Sequence, residues 1–257
     1  MCKVVDLHCD VFRMARYRHF KIIRKDWRHF IVRRILFTLV LFLSVAMSPT
    51  WMCAADQKPG TLEDLVEEEI WIIFAHDPAD YLHNAWENFI SGNLQDAAYH
   101  IRRAKAWLKL EACRAEREAK DDLEASIKEL EELIKALEEG SHPENKTLKE
   151  AFAKAEHALS NHHHQKALSY EEKGDHEKMT YALDAAATHL MYGSVWAGRE
   201  LDQNDAVATK EARAIARKVK RGEKWSPDRL REALKGLGRG IKKFGTRFKQ
   251  AEESPPE

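Results

Sequence analysis

The sequence predicts an all-α fold: a bundle of two long antiparallel helical hairpins, related as an internal repeat offset by about 82 residues, followed by a C-terminal amphipathic helix. Three observations carry this expectation. Glycine and proline are scarce, 11 and 7 among 257 residues, and long stretches contain neither. Apolar residues recur at spacings of three and four, the helical period. The same turn occurs twice, Gly92-Asn93 and Gly174-Asp175. Tyr99, Ile101, Ala104 and Leu108 after the first are matched by Tyr181, Leu183, Ala186 and Leu190 after the second. One amphipathic hairpin leaves its apolar stripe uncovered, whereas two stacked hairpins bury both.

Arg33-Arg34 precede 13 residues, Ile35 to Met47, in which only Thr38 and Ser44 interrupt the apolar run. This reads as a signal peptide, with cleavage after Ala55 leaving 202 residues from Asp56. The rival reading is an uncleaved membrane anchor, since the 21 uncharged residues 35–55 span ~31 Å as a helix. Both place the body beyond the membrane, periplasmic or secreted, because the basic flank precedes the apolar run. Cys2, Cys9 and Cys53 fall in the leading segment, so Cys113 is left alone, with no internal disulfide, as a half-buried residue inside a helix.

Residues 56–222 are expected to form the bundle. Its first helical stretch runs from Thr61, the N-cap, to Ser91, with a restart at His76-Asp77-Pro78. The second runs from Asn93 to Glu139 and stops at Gly140-Ser141-His142-Pro143; the third runs from Glu144 to Lys173. The fourth runs from Asp175 to Arg221. The second and fourth stretches, 47 residues each, are either continuous rods or bend near Asp121-Asp122 and Asn204-Asp205. Residues 223–250 form a basic amphipathic helix opened by Ser226-Pro227-Asp228, and 251–257 are tail.

The turn Gly92-Asn93-Leu94 with Ala97, Ile101 and Ala104 is similar to the second half of a tetratricopeptide hairpin. An exported all-helical chain with a Lys173-Gly174-Asp175 turn and Ala-rich helices also resembles the periplasmic YfdX-type proteins. That resemblance implies a small helical bundle associated with stress responses, not a catalyst.

The formal charge is zero, from 42 basic and 42 acidic side chains, yet it is segregated: +7 over residues 1–34, −15 over 35–209, +11 over 210–250 and −3 in the tail. Zero net charge argues against a chain uniformly built for nucleic acid or for anionic membranes. Nucleophile-elbow and phosphate-loop motifs are missing, and Gly236-x-Gly238-x-Gly240 follows no strand, so it is no nucleotide fingerprint. The carboxylates are read as lying along solvated helix faces.

The histidines are the candidates for chemistry, because imidazole is the commonest metal ligand. His76, Asp80 and His83 share one helical stripe at i, i+4 and i+7, and His157, Asn161 and His164 repeat that spacing. The helical period turns His163 inward beside Leu159, and His189 inward beside Ala186 and Leu190. It sets His83 on a flank and turns His157 away from Ala155 and Leu159. His76, Asp80, His83, His157, His163, His164 and His189 are therefore the candidate ligand set for a divalent metal or haem. Without a Cys-x-x-Cys-His motif, covalently attached haem is not expected.

Leu230, Leu234, Leu237, Ile241, Phe244 and Phe248 form an apolar stripe on the C-terminal helix, with Arg239, Lys242 and Lys243 among the cations filling its other positions. Such a helix docks on a protein partner, on the chain's own acidic body or on an anionic membrane surface. A nucleic-acid partner is not expected, as the aromatic rings belong to the apolar stripe. The preferred reading is an exported, non-catalytic helical-bundle binding or scaffold protein. The alternatives are a metal- or haem-binding protein and a membrane-surface protein acting through residues 226–250.

Overall fold

A computed structural model describes residues 75–253, all within the compact unit Pro59–Glu257. The signal or anchor segment, the Thr61 cap and residues 254–257 lie outside the described residues. Among the described residues there are seven helices and no strand: α1 (Asp77–Ile90), α2 (Leu94–Cys113), α3 (Arg117–Glu138), α4 (Asn145–Glu172), α5 (His176–Trp196), α6 (Gln203–Lys220) and α7 (Pro227–Glu253). The all-α bundle read from the sequence is the fold. None of these helices is long and apolar enough to cross a membrane.

α1 starts at the expected restart, with Pro78 in its first turn and Asp77 and Asp80 set against the positive end of the helix dipole. The two matched turns have the same construction. Gly92 and Gly174 take φ of 79° and 71°, the left-handed region open to glycine. Asn93 N–H donates to Asn88 O and Asp175 N–H to Tyr170 O, both at 2.9 Å. Ile101, Ala104 and Leu108 after the first turn, and Leu183, Ala186 and Leu190 after the second, are all fully buried.

The two 47-residue stretches are neither rods nor bent where expected. The first breaks at Arg114-Ala115-Glu116, where Glu116 is extended, and α3 then packs back on α2. The second breaks between Trp196 and Gln203, through Gly198 at φ 61° and the Asp202 carboxylate, which accepts from Asp205 N–H at 2.9 Å. A 47-residue helix would be ~70 Å long and would leave half its stripe in water, so burial overrides helix propensity. The break also puts Cys113 at the end of α2, exposed rather than half-buried inside a helix.

Among the described residues the core forms two apolar clusters. One joins α1, α2, α3 and the first half of α4 around Phe89, Ile101, Leu130 and Phe152. The other joins the end of α4 to α5, α6 and α7 around Leu183, Leu190, Leu234 and Leu237. Among the described residues α4 and α5 form the most extensive helix pair, and they carry both clusters. α7 packs on α4, α5 and α6, and Leu230, Leu234, Leu237, Ile241 and Phe244 are each at most 3% exposed. Phe248 is partly buried against the same core.

Candidate functional site: a buried histidine and glutamate seam

Where α4 passes from one apolar cluster to the other, its inward positions turn polar: Glu156, Ser160, His162 and His163 are all buried. α5 faces them with Ala185 and Ala186, small enough for Ser160 Oγ to reach and donate to Ala186 O at 2.7 Å. It also supplies His189. Both His189 and Glu156 are 0% exposed.

His189 bonds through both ring nitrogens: Nε2 to Ala75 O at 2.8 Å and Nδ1 to Glu156 Oε2 at 2.5 Å. A carbonyl only accepts, so Nε2 carries a hydrogen, and a second proton is held between Nδ1 and the carboxylate. Burial pushes the Glu156 carboxyl up. Burial opposes charge on His189 too, but the carboxylate beside it outweighs that and raises the imidazole. The imidazole thus keeps its proton to higher pH than a free histidine would, and the carboxyl to higher pH than a free glutamate side chain would.

His163 stacks on His189, rings 5.4 Å apart and 8° from parallel, and the His162 ring lies 5.2 Å from that of His163. The His76 ring is 6.2 Å from His189. Burial, with the neighbouring imidazoles adding to it, lowers His163 well below its ordinary value and His76 to about 4. His162 Nε2 donates to Glu111 Oε2 at 2.9 Å, with Glu111 itself buried. Glu156 Oε1, His163 Nε2, His162 Nδ1 and His76 Nδ1 are buried without a hydrogen-bond partner, an arrangement natural proteins keep rare.

Of the other candidate ligands, three histidines are engaged elsewhere. His83 Nε2 is 3.0 Å from Glu87 Oε1, one turn along α1, and Asp80 is exposed. His157 and His164 cross to α7, where Nε2 of each donates to a backbone carbonyl at 3.1 Å: Ile241 O from His157 and Leu234 O from His164. The rings reach those carbonyls because the residue one turn further along α7 is glycine in both cases. A Cβ at Gly238 would stand 2.7 Å from His164, and one at Gly245 would stand 2.6 Å from His157. Histidines seven apart on α4 thus meet carbonyls seven apart and glycines seven apart on the antiparallel α7.

The sequence-derived ligand set is therefore divided. His76, His163 and His189 come together with Glu156, and Asp80 is near enough for its charge to raise the Glu156 carboxyl further, while His83, His157 and His164 bond to other partners. Among the described residues no three His, Cys, Asp or Glu side chains are arranged to hold a metal ion. The inward orientation of His163 and His189 agrees with the helical period. His157, read as turned away from the core, bonds instead to α7. The reading of the carboxylates as solvated fails at Glu111 and Glu156. The available signal for Glu156 was its position between Ala155 and Leu159 on an otherwise apolar face; for the α7 contact it was the matching seven-residue spacing of histidines and glycines. Compared with protein-family models, curated proteins and solved structures, the chain matches none.

Proposed function

We propose that this protein is a non-catalytic helical-bundle binding or scaffold protein that works on the far side of the membrane, as its leading basic and apolar segments indicate. One observation carries the reading: the strongest acid–base pair, Glu156 with His189, is wholly enclosed and spends both imidazole nitrogens on intramolecular partners. A group so placed supports the bundle and meets no substrate. His157, His162 and His164 are likewise committed to Ile241 O, Glu111 and Leu234 O. The surface is left to act.

The test is chemical cross-linking in intact cells followed by recovery of the chain from the extracytoplasmic fraction. A discrete cross-linked species that survives high dilution supports the reading, and a strictly uncomplexed chain found in the cytoplasm overturns it. The metal- or haem-binding reading draws on the orphaned atoms Glu156 Oε1, His163 Nε2 and His76 Nδ1 around His189. Metal analysis and an absorption spectrum of the untagged protein test it. One tightly held metal or haem per chain, lost in His163→Ala, would replace the scaffold reading.

A further inference from the structure

We infer that the outward face of the α6–α7 hairpin is an electrostatic docking surface for an anionic lipid membrane. The inference deepens the binding reading above and rests on it. It begins with how the bundle uses its charges. Cations at the flanks of α6 and α7 are consumed by neighbouring carboxylates: Arg229 by Glu211, Arg231 by Glu171 and Asp228, Lys220 by Asp184, and Lys243 by Asp202 and Asp205. Six others, Lys210, Arg217 and Lys218 on α6 with Lys235, Arg239 and Lys242 on α7, are exposed and have no carboxylate within ion-pair distance among the described residues.

Their placement is set by the packing. Taking the buried Leu230 as zero on the α7 wheel, Lys235, Arg239 and Lys242 fall at ~140°, ~180° and ~120°, opposite the core. Gly238 and Gly245 lie at ~80° and ~60° on the same wheel, turned to α4 and capped by His164 and His157. Gly236 and Gly240 lie at ~−120° and ~−80°, turned to α6, where their nearest neighbours are Ala208 and Asp205. With both flanks of α7 held by neighbouring helices, its rotation is fixed and the cationic stripe faces away from the protein.

The chemistry of this face fits lipid phosphates better than a protein partner. Protein interfaces centre on aromatic anchors and deplete lysine. Here Leu230, Leu234, Leu237, Ile241 and Phe244 of α7 are buried and Phe248 partly so, and the one large apolar side chain exposed on α6 is Val207, at 56%. Glu232, exposed at ~200° beside Arg239, is outnumbered by these cations, and a surface with such an excess of lysines and arginines is suited to a diffuse sheet of negative headgroups. The apolar stripe takes no part, being already enclosed in the bundle, so the attachment is electrostatic, reversible and screened by salt.

The experiment is flotation of the chain, recovered without detergent from the extracytoplasmic fraction, with vesicles of phosphatidylcholine alone or with one-quarter phosphatidylglycerol. Binding is expected to the anionic vesicles only, and to collapse on raising NaCl from 50 to 300 mM. The triple variant Lys235→Gln, Arg239→Gln, Lys242→Gln should lose affinity on the order of 100-fold, since each cation at such a surface contributes about a factor of five. Its circular dichroism should match that of the parent. The control Lys120→Gln, Lys128→Gln, Lys135→Gln, on α3, should bind like the parent. Equal binding to both vesicle types, or a folded triple variant that binds undiminished, overturns the proposal. Absence of vesicle binding with a persisting protein cross-link removes the membrane and leaves the scaffold reading; absence of both removes both.

Discussion

Replacing Gly238 by alanine should destabilise the protein, the reverse of what a glycine in the middle of a helix ordinarily gives. In an unobstructed helix, Gly→Ala stabilises by about 1 kcal/mol. At position 238 the added methyl stands 2.7 Å from both Cε1 and Nε2 of His164, well inside contact distance. The half-buried ring must swing away, giving up its 3.1 Å bond to Leu234 O. Overpacking costs about 1–3 kcal/mol and the lost hydrogen bond about 1 kcal/mol. Against the propensity gain, the balance is a net loss of about 1–3 kcal/mol. Urea denaturation followed by circular dichroism reads it, as does a fall in Tm of roughly 2–4 °C per kcal/mol for a domain of this size. The decisive comparison is the double variant. With His164→Ala already present the obstruction is gone, so adding Gly238→Ala should then stabilise by about 1 kcal/mol. A Gly238→Ala single variant more stable than the parent would refute the packing argument, and so would a double-mutant cycle without coupling. Gly245→Ala with His157→Ala is an independent repeat, its clash being 2.6 Å.

Glu156→Ala leaves His189 Nδ1 enclosed without its partner and should cost about 3–5 kcal/mol. Glu156→Gln, which can donate to Nδ1 of a neutral imidazole, should cost less than half of that in the same urea titration; equal costs would mean that a neutral hydrogen-bond partner cannot replace the carboxylate. The pH profile of stability follows from the shifted groups. His76, His163 and His164 are lowered by burial from an ordinary 6.5, His76 to about 4. Between those values the unfolded chain binds more protons than the folded one. The stability from these three is therefore complete above about 6.5 and is lost as pH falls toward the folded values. The His189–Glu156 pair is raised, so its contribution is present in acid and is lost as pH rises through its folded values. A dome-shaped profile is expected from denaturation at a series of pH values, with a shallower acid limb in His163→Gln; an acid limb unchanged by that substitution would count against the assignment.

Helix content, the two glycine turns and the apolar stripe of α7 were legible in the sequence because each depends on local quantities: period, propensity and the conformational freedom of glycine. The start of α1 at His76-Asp77-Pro78 was legible for the same reason. The breaks after Cys113 and Trp196 were not, because helix propensity runs on through Arg114-Ala115-Glu116, and only the gain from folding α3 back onto α2 ends the helix there. Half of the histidine seam could be read, since the inward turn of His163 and His189 is a property of one helix. Its other half depends on encounters between helices. Glu156 meets His189 across 33 positions of sequence, His189 meets Ala75 across 114, and His157 and His164 meet α7 carbonyls across 84 and 70. The sequence by itself determined that the chain is helical, where its chain reversals with glycine lie, and that its charges are segregated. The tertiary structure alone decided which stripe covers which and which ionisable groups leave water, because burial and buried pairing are set by the approach of distant segments rather than by the residues beside them in the chain.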